Sequence, residues 1–340
     1  MNKTVIVTGG SGYIGSHTLV ELLQSGFDVI SLDNYSNSSP EIYKQVAKIT
    51  GKYFLYYQVE LTSQNELAEI FSKHDVCGVI HFAAFKAVGE SVEHPIKYYD
   101  NNLNSLLNLL RICKRFSVQN FIFSSSCSVY GNVEQLPVSE ETPLLKAESP
   151  YAYTKQIGER ILEDFCVSNP HFNSISLRYF NPVGAHESAL IGESPINKPN
   201  NLLPIITGVA AGTISKLVVN GNDYPTRDGT CIRDYIHVSD IAEAHVKALS
   251  FLLSDGLGKN YDVFNLGTGS GVSVMEAIHA FENVTGLKLN YEIGPRRLGD
   301  VIAVYADNSK ANQMLNWKPK FGIEKMIETA WNWEKNKNKL

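Results

Sequence analysis

The sequence predicts an α/β protein, a doubly wound parallel sheet followed by a second, smaller α/β domain. Three observations carry this expectation. Short β-branched or apolar runs alternate with stretches of helical period through the first half, a glycine-rich turn joins the first run to the first helix, and past residue 178 loops lengthen and prolines become commoner. We therefore place one domain at residues 1–178 and a second, binding the substrate, at 179–340. At 340 residues the chain is long enough for two packed cores.

Thr4-Val5-Ile6-Val7-Thr8 reads as the first strand, Gly9-Gly10-Ser11-Gly12-Tyr13-Ile14-Gly15 as a loop, and the apolar-periodic stretch to Leu23 as a helix. Gly9 permits the tight turn, Gly12 lets backbone amides approach a pyrophosphate, and Gly15 allows the helix to pack closely on the strand. Glycine spacing alone also fits a structural turn, so context decides. Asp28-Val29-Ile30-Ser31-Leu32 is a second strand, and Asp33 ends it where a carboxylate would hold adenosine ribose hydroxyls. That carboxylate would repel a 2'-phosphate, which favours NAD over NADP. The expected layer is thus of Rossmann type, and the Gly9-x-x-Gly12-x-x-Gly15 spacing, rather than Gly-x-Gly-x-x-Gly, points to its short-chain dehydrogenase branch.

Val79-Ile80-His81-Phe82-Ala83 is the next apolar strand and its loop, Asn101–Lys114 a leucine-rich helix, and Asn120–Ser126 another strand ending in three serines. Ligands collect at the carboxyl ends of such strands, so Ser126 is a candidate partner for a substrate hydroxyl. Ser149 suits an N-cap and Pro150 the first helical position, which predicts a helix from there to Asn169-Pro170. Tyr151 and Lys155 share one face of its first turns. A phenol titrates near ~10, and lowering it by about 3 pH units needs about 4 kcal/mol. One cation at roughly 5 Å with an effective dielectric of ~20 offers about 3 kcal/mol before desolvation. A second positive charge completes the shift, and an oxidised nicotinamide supplies one.

In the second half, residues 197–202 read as an irregular insertion. Val263–Gly269 looks like another dinucleotide loop but lacks a third glycine and an acidic strand end. Ser273-Val274-Met275-Glu276 has the capping-box pattern, which opens a helix without a phosphate. A formal charge of -5 and a pI near 6.0 argue against nucleic acid as the main partner. The five cysteines are scattered and unpaired in spacing, and no His-Glu-x-x-His occurs, so neither a disulfide framework nor a metal site is expected. No apolar run reaches membrane-spanning length and residues 1–8 lack a signal pattern, so no membrane association and a cytoplasmic location are expected.

Several strings are more specific than the glycine loop. Gly9–His17, His81–Ser91, Arg178–His186, Gly221–Thr226 and Arg233–Val238 resemble the UDP-galactose 4-epimerases, extended short-chain dehydrogenases, and the likeness runs essentially end to end. The resemblance implies a tightly held NAD, a UDP-sugar substrate and a homodimer built on paired helices. It makes Tyr151 the base, Lys155 a ligand of the nicotinamide ribose and Ser126 the partner of the substrate hydroxyl. It lines the NAD site with Gly9, Gly12, Tyr13, Ile14, Gly15, Asp33, Asn34, Asn37, Ser38, Glu60, Leu61, Phe82, Ala83, Ala84, Lys86, Asn101, Ser124 and Tyr179, besides Tyr151 and Lys155. It assigns the UDP-sugar to Lys86, Phe180, Asn181, Asn201, Leu202, Val218, Asn220, Arg233, Arg297, Asp300 and Val304, besides Ser126 and Tyr151. By the residues alone, an arginine such as Arg297 reads more readily as a surface charge than as a ligand. Glu60 stands where the family often has Asp, and Ala84 where Gly is frequent; a rearranged adenine contact is expected.

The implied reaction is reversible oxidation at C4 of the sugar, with Tyr151 taking the 4-hydroxyl proton. Val304 occupies a position that gates the sugar pocket, where some members carry Tyr. The smaller side chain leaves space for an N-acetyl group unless neighbours refill it. Two rivals differ in residues. A 4,6-dehydratase needs an Asp-Glu couple after Ser126, where Cys127-Ser128 stands; a non-catalytic NAD sensor needs neither Tyr151 with Lys155 nor Arg233 with Arg297.

Overall fold

The computed structural model describes residues 3–194, 199, 201–254, 256–297 and 300–339. Of the insertion expected at 197–202, residues 197, 198 and 200 lie outside these. Alternation begins as expected: β1 (Thr4–Thr8), α1 (Tyr13–Gln24), β2 (Asp28–Asp33), α2 (Ile42–Thr50), β3 (Leu55–Gln58), α3 (Gln64–Lys73) and β4 (Gly78–His81). There follow α4 (Val88–Glu93), α5 (Pro95–Arg115), β5 (Asn120–Ser126), α6 (Pro150–Ser168) and β6 (Asn173–Tyr179). Helix α5 starts earlier than the expected Asn101, because Pro95 sits in its first turn and the polar residues that follow hide the apolar stripe from a periodicity reading.

The second half supplies β7 (Asn181–Val183), α7 (Leu202–Ala210), β8 (Leu217–Asn220), β9 (Ile232–His237), α8 (Val238–Leu253), β10 (Tyr261–Leu266) and β11 (Gly271–Ser273). It continues with α9 (Val274–Thr285), β12 (Tyr291–Gly294), β13 (Ala303–Val304), α10 (Ser309–Leu315) and α11 (Ile323–Asn336).

Seven parallel strands form the main sheet in the order β10-β6-β5-β4-β1-β2-β3. Strand side chains alternate between faces. Val5 and Val7 therefore join a core with Leu19 and Leu22 of α1 and Ile241 and Leu249 of α8, while Ile6 joins Phe71 of α3, Leu109 of α5 and Leu162 of α6 on the other face. A single cut between residues 178 and 179 does not describe this layer. Edge strand β10 and helix α8 come from the second half and return to the first sheet, because an apolar strand and an apolar helix face find their uncovered partners there.

Helix α10 joins the first core through Ala311 and Leu315, while most of the remaining elements pack around a third core, which holds Leu203, Ile206, Ile278, Phe281, Met326 and Ile327. Strand β9 is its centre, flanked by β11 and β13 and paired also with β7, while β8 and β12 make a separate pair. The capping box forms as expected, with Ser273 and Glu276 bonding each other's backbone amides. The Gly267-Thr268-Gly269 turn is filled by protein. Buried Asp234 accepts hydrogen bonds from the amides of Thr268 (2.8 Å), Gly269 (3.1 Å) and Ala306 (3.1 Å), so this loop wraps a carboxylate of the chain itself.

Candidate active site

Helix α6 begins as its sequence dictates. Ser149 accepts from the Ala152 amide at 3.2 Å, Pro150 occupies the first turn, and Tyr151 and Lys155 project toward the end of β5. The Lys155 ammonium donates to the Ser124 carbonyl at 2.6 Å and lies 5.9 Å from the centre of the Tyr151 ring. Ser126, at the last position of β5, faces the Tyr151 phenol, and its hydroxyl oxygen accepts from the Ser128 amide at 3.2 Å and the Ser128 hydroxyl at 3.0 Å. Burial pushes that phenol up to about 12, against the lowering effect of Ser126. Lys155 is pulled down to about 8, also by burial, with Glu159 opposing. Alone, then, the lysine does not make the phenol a base near neutral pH, and the second positive charge expected from the sequence remains necessary. Tyr179 closes this corner, its hydroxyl bonded to that of Ser124.

The glycine turn stands beside these groups on the same edge of the sheet. Gly9 has φ 70, and a Cβ there would lie 2.8 Å from the Ala83 amide. A Cβ on Gly15 would lie 2.1 Å from the Gly9 carbonyl, so α1 can start this close to the turn only without a side chain. Gly15 thus packs against the loop more than against the strand. Gly12 caps α1, and its Tyr13 neighbour donates to the Gly184 carbonyl at 2.6 Å, tying the loop to the second half. Asp33 accepts from the amides of Ser11 (3.1 Å) and Tyr35 (3.0 Å), and Ser38 donates to it at 3.3 Å. A glycine cradle closed against backbone, with a carboxylate held at the end of β2, fits a dinucleotide.

The other expected cofactor residues ring this edge. Ile14 packs against the first core, and Asn37 is exposed in the loop beyond β2. Glu60 accepts from the Asn34 side chain at 2.8 Å, so its longer arm is held by another expected NAD residue. Leu61 is buried beside it. Phe82, Ala83 and Ala84 follow β4, with the Phe82 ring 4.6 Å from that of His245. Asn101 on α5 donates to Asn102, which in turn holds the Phe85 backbone.

A second polar group lies in the other layer. Asp300 accepts from Arg297 at 2.6 Å and Arg233 at 3.4 Å, while Arg233 also donates to the Val301 carbonyl at 2.8 Å. These are two guanidiniums and a carboxylate in one place, suited to a diphosphate and ribose hydroxyls. Val304 is buried with Phe180, Val129, Tyr130 and Val138. Asn181 is on β7, next to β9. Asn201 stands at the N-cap position of α7, ahead of Leu202, without a side-chain capping bond. Val218 and Asn220 stand apart from the arginine group's strands, on β8.

Two carboxylates escaped the sequence reading. Glu193 accepts from Asn201 at 2.9 Å and faces Lys86 at 3.6 Å, joining residues assigned to cofactor and substrate. Glu159 lies one helical repeat beyond Lys155; the i, i+4, i+8 spacing from Tyr151 was the signal available. Of the cysteines, Cys113, Cys166 and Cys231 are buried and all five are free.

The family model described as GDP-mannose 4,6 dehydratase matches residues 6–330. A UDP-glucose 4-epimerase from Erwinia amylovora is 48% identical, over 97% of this chain and 97% of its own. The structure of a UDP-glucose 4-epimerase from Bifidobacterium longum in complex with NAD+ and UDP has a TM-score of 0.94 at 48% identity, covering 99% of this chain and 100% of that one. That of an epimerase from Stenotrophomonas maltophila, with bound NAD and formylated UDP-arabinopyranose, has a TM-score of 0.96 at 43% identity, covering 99% of both. The family model's description and the relatives differ in reaction. Cys127 and Ser128 after Ser126 supply no carboxylate pair for a dehydration, in agreement with the relatives. The chain belongs to the UDP-glucose 4-epimerases, within the extended short-chain dehydrogenases.

Proposed function

We propose that the protein interconverts UDP-glucose and UDP-galactose by transient oxidation at C4 with a bound NAD. The observation that carries this is the meeting of Tyr151, Ser126 and Lys155 beside the glycine cradle, with carboxylates absent from the positions following Ser126. NAD would be held by the Gly9–Gly15 turn, Asp33 and Lys155, and when bound it supplies a hydride acceptor and donor. Tyr151 takes the 4-hydroxyl proton and later returns it, and Ser126 orients that hydroxyl. Arg233 and Arg297 hold the diphosphate while Asp300 accepts from ribose, so the sugar can turn about a fixed anchor. Lys155 contributes its charge to the Tyr151 phenolate.

Val304 supports a broader substrate range that includes UDP-N-acetylglucosamine and its galacto epimer. Its neighbours Phe180 and Val301 are the side chains that would have to refill the space. We also propose a homodimer through α5 and α6, which expose Ile96 (71%) and Tyr153 (48%) and are linked by the Tyr99–Tyr153 ring contact at 6.4 Å. A cytoplasmic location is consistent with five free thiols; among the described residues no helix is long and apolar enough to cross a membrane.

Tyr151→Phe tests the assignment. The variant should fold, keep NAD and lose turnover by about 10^2-fold or more. Near-normal turnover would refute it.

A further inference from the structure

Behind the catalytic pair runs a buried ionic network that the reaction itself does not use. Tyr151, Lys155 and Glu159 are spaced i, i+4, i+8 and so form one stripe of α6 facing β5. Glu159 is 5% exposed, Arg178 of β6 is 4% and Lys155 is 4%. Arg178 grips Glu159 at both oxygens, at 2.9 and 2.6 Å. The Ser125 hydroxyl donates to the same carboxylate at 2.5 Å. Arg178 extends the network to the Tyr130 hydroxyl at 3.1 Å, which donates to Asn265 at 2.6 Å.

We propose that Glu159, clamped by Arg178, is a positioning residue for catalysis: it keeps the Lys155 ammonium charged and holds the serine end of β5 in register with it. The proposal rests on the epimerase reading for its purpose, though its test does not depend on turnover.

The geometry supports both halves. Ser125 lies between Ser124, whose carbonyl receives the ammonium, and Ser126, which faces the phenol. Anchoring the hydroxyl of Ser125 to α6 therefore fixes the spacing of both neighbours to the helix that carries Tyr151 and Lys155. On charge, the groups around Lys155 can be named element by element. Its own helix brings Tyr151 and Glu159. Strand β4 brings His81, held neutral by burial, which pushes it down to about 3. Strand β5 brings the Phe123 ring at 4.9 Å and the Ser124 carbonyl. Strand β6 brings Tyr179 and Arg178. Helix α5 and the turn after β5 bring Tyr98 and Cys127, which face Tyr151. Glu159 is the carboxylate of this set, and it opposes the loss of charge that burial imposes on Lys155.

A buried arginine left without its carboxylate is costly, so removing Glu159 alone risks the fold, whereas a neutral pair is often tolerated. The test therefore uses Glu159→Gln, Glu159→Asp and the double variant Glu159→Gln with Arg178→Met. The titration of the Lys155 side-chain nitrogen is read by NMR on 15N-lysine protein as purified with its NAD, and assigned by its loss in Lys155→Arg. In Glu159→Gln the midpoint should fall by about one pH unit or more, and in the double variant by less, because it also removes the Arg178 charge, while Glu159→Asp stays closer to wild type. The alkaline limb of kcat should move the same way. A midpoint at or above the wild-type value in the folded neutral variants would overturn the proposal. If the wild-type protein turned over no UDP-hexose, the epimerase reading would fail while the titration still decided the role of Glu159.

Discussion

Replacing Lys155 with Met separates the charge of the ammonium from its bulk. The ammonium lies 5.9 Å from the centre of the Tyr151 ring, over which a phenolate spreads part of its charge. With an effective dielectric of ~20, a unit charge at that distance stabilises the phenolate by about 3 kcal/mol, or about two pH units of phenol acidity. Lys155 is buried and Tyr151 half-buried, so solvent screening trims this modestly. At pH 7 the base form of Tyr151 should become about 100-fold scarcer, and kcat should fall in proportion. The sign of the pH dependence follows from the lysine. Burial lowers Lys155 to about 8, so its charge is present below that pH and lost above it. The gap between wild type and Lys155→Met should thus be widest at pH 6 to 7 and narrow above pH 8. Initial rates of UDP-galactose conversion across this range, normalised to the NAD each protein retains, give the ratio. A gap under threefold at pH 7, or one that widens toward pH 9, would refute the electrostatic role.

Two other outcomes are expected. Gly15→Ala pushes a methyl group to 2.1 Å from the Gly9 carbonyl, which backbone cannot avoid without moving; we expect about 1–3 kcal/mol of lost stability in thermal melts and a reduced content of NAD. Val304→Tyr fills the gate beside Phe180; turnover of the N-acetylated pair should drop at least about tenfold relative to the glucose and galactose pair, and equal loss on both would count against a gating role.

Much of the site was legible because it is local. The glycine turn, the Ser149-Pro150 start of α6 and the pairing of Tyr151 with Lys155 all lie within short windows whose spacing fixes their geometry. The capping box at Ser273 belongs to the same class. What stayed hidden needed partners far apart in sequence. Asp234 is the carboxylate that the Gly267–Gly269 turn wraps, yet nothing near residue 267 names it. Glu193 meets Lys86 across more than 100 residues, and Glu159 gains its meaning from Arg178 on the neighbouring strand. The return of α8 and β10 to the first sheet was hidden for a similar reason: an apolar strand shows that it is buried, without showing in which sheet.

The most direct test of C4 epimerisation with a resident cofactor is to incubate the purified protein with UDP-galactose, adding no NAD, and to follow the sugar nucleotides by anion-exchange chromatography. UDP-glucose should form until a fixed ratio is reached, the same ratio should be approached from UDP-glucose, and no NADH should accumulate. Persistence of UDP-galactose in protein shown to hold NAD, stoichiometric NADH, or a product lighter by one water would contradict it.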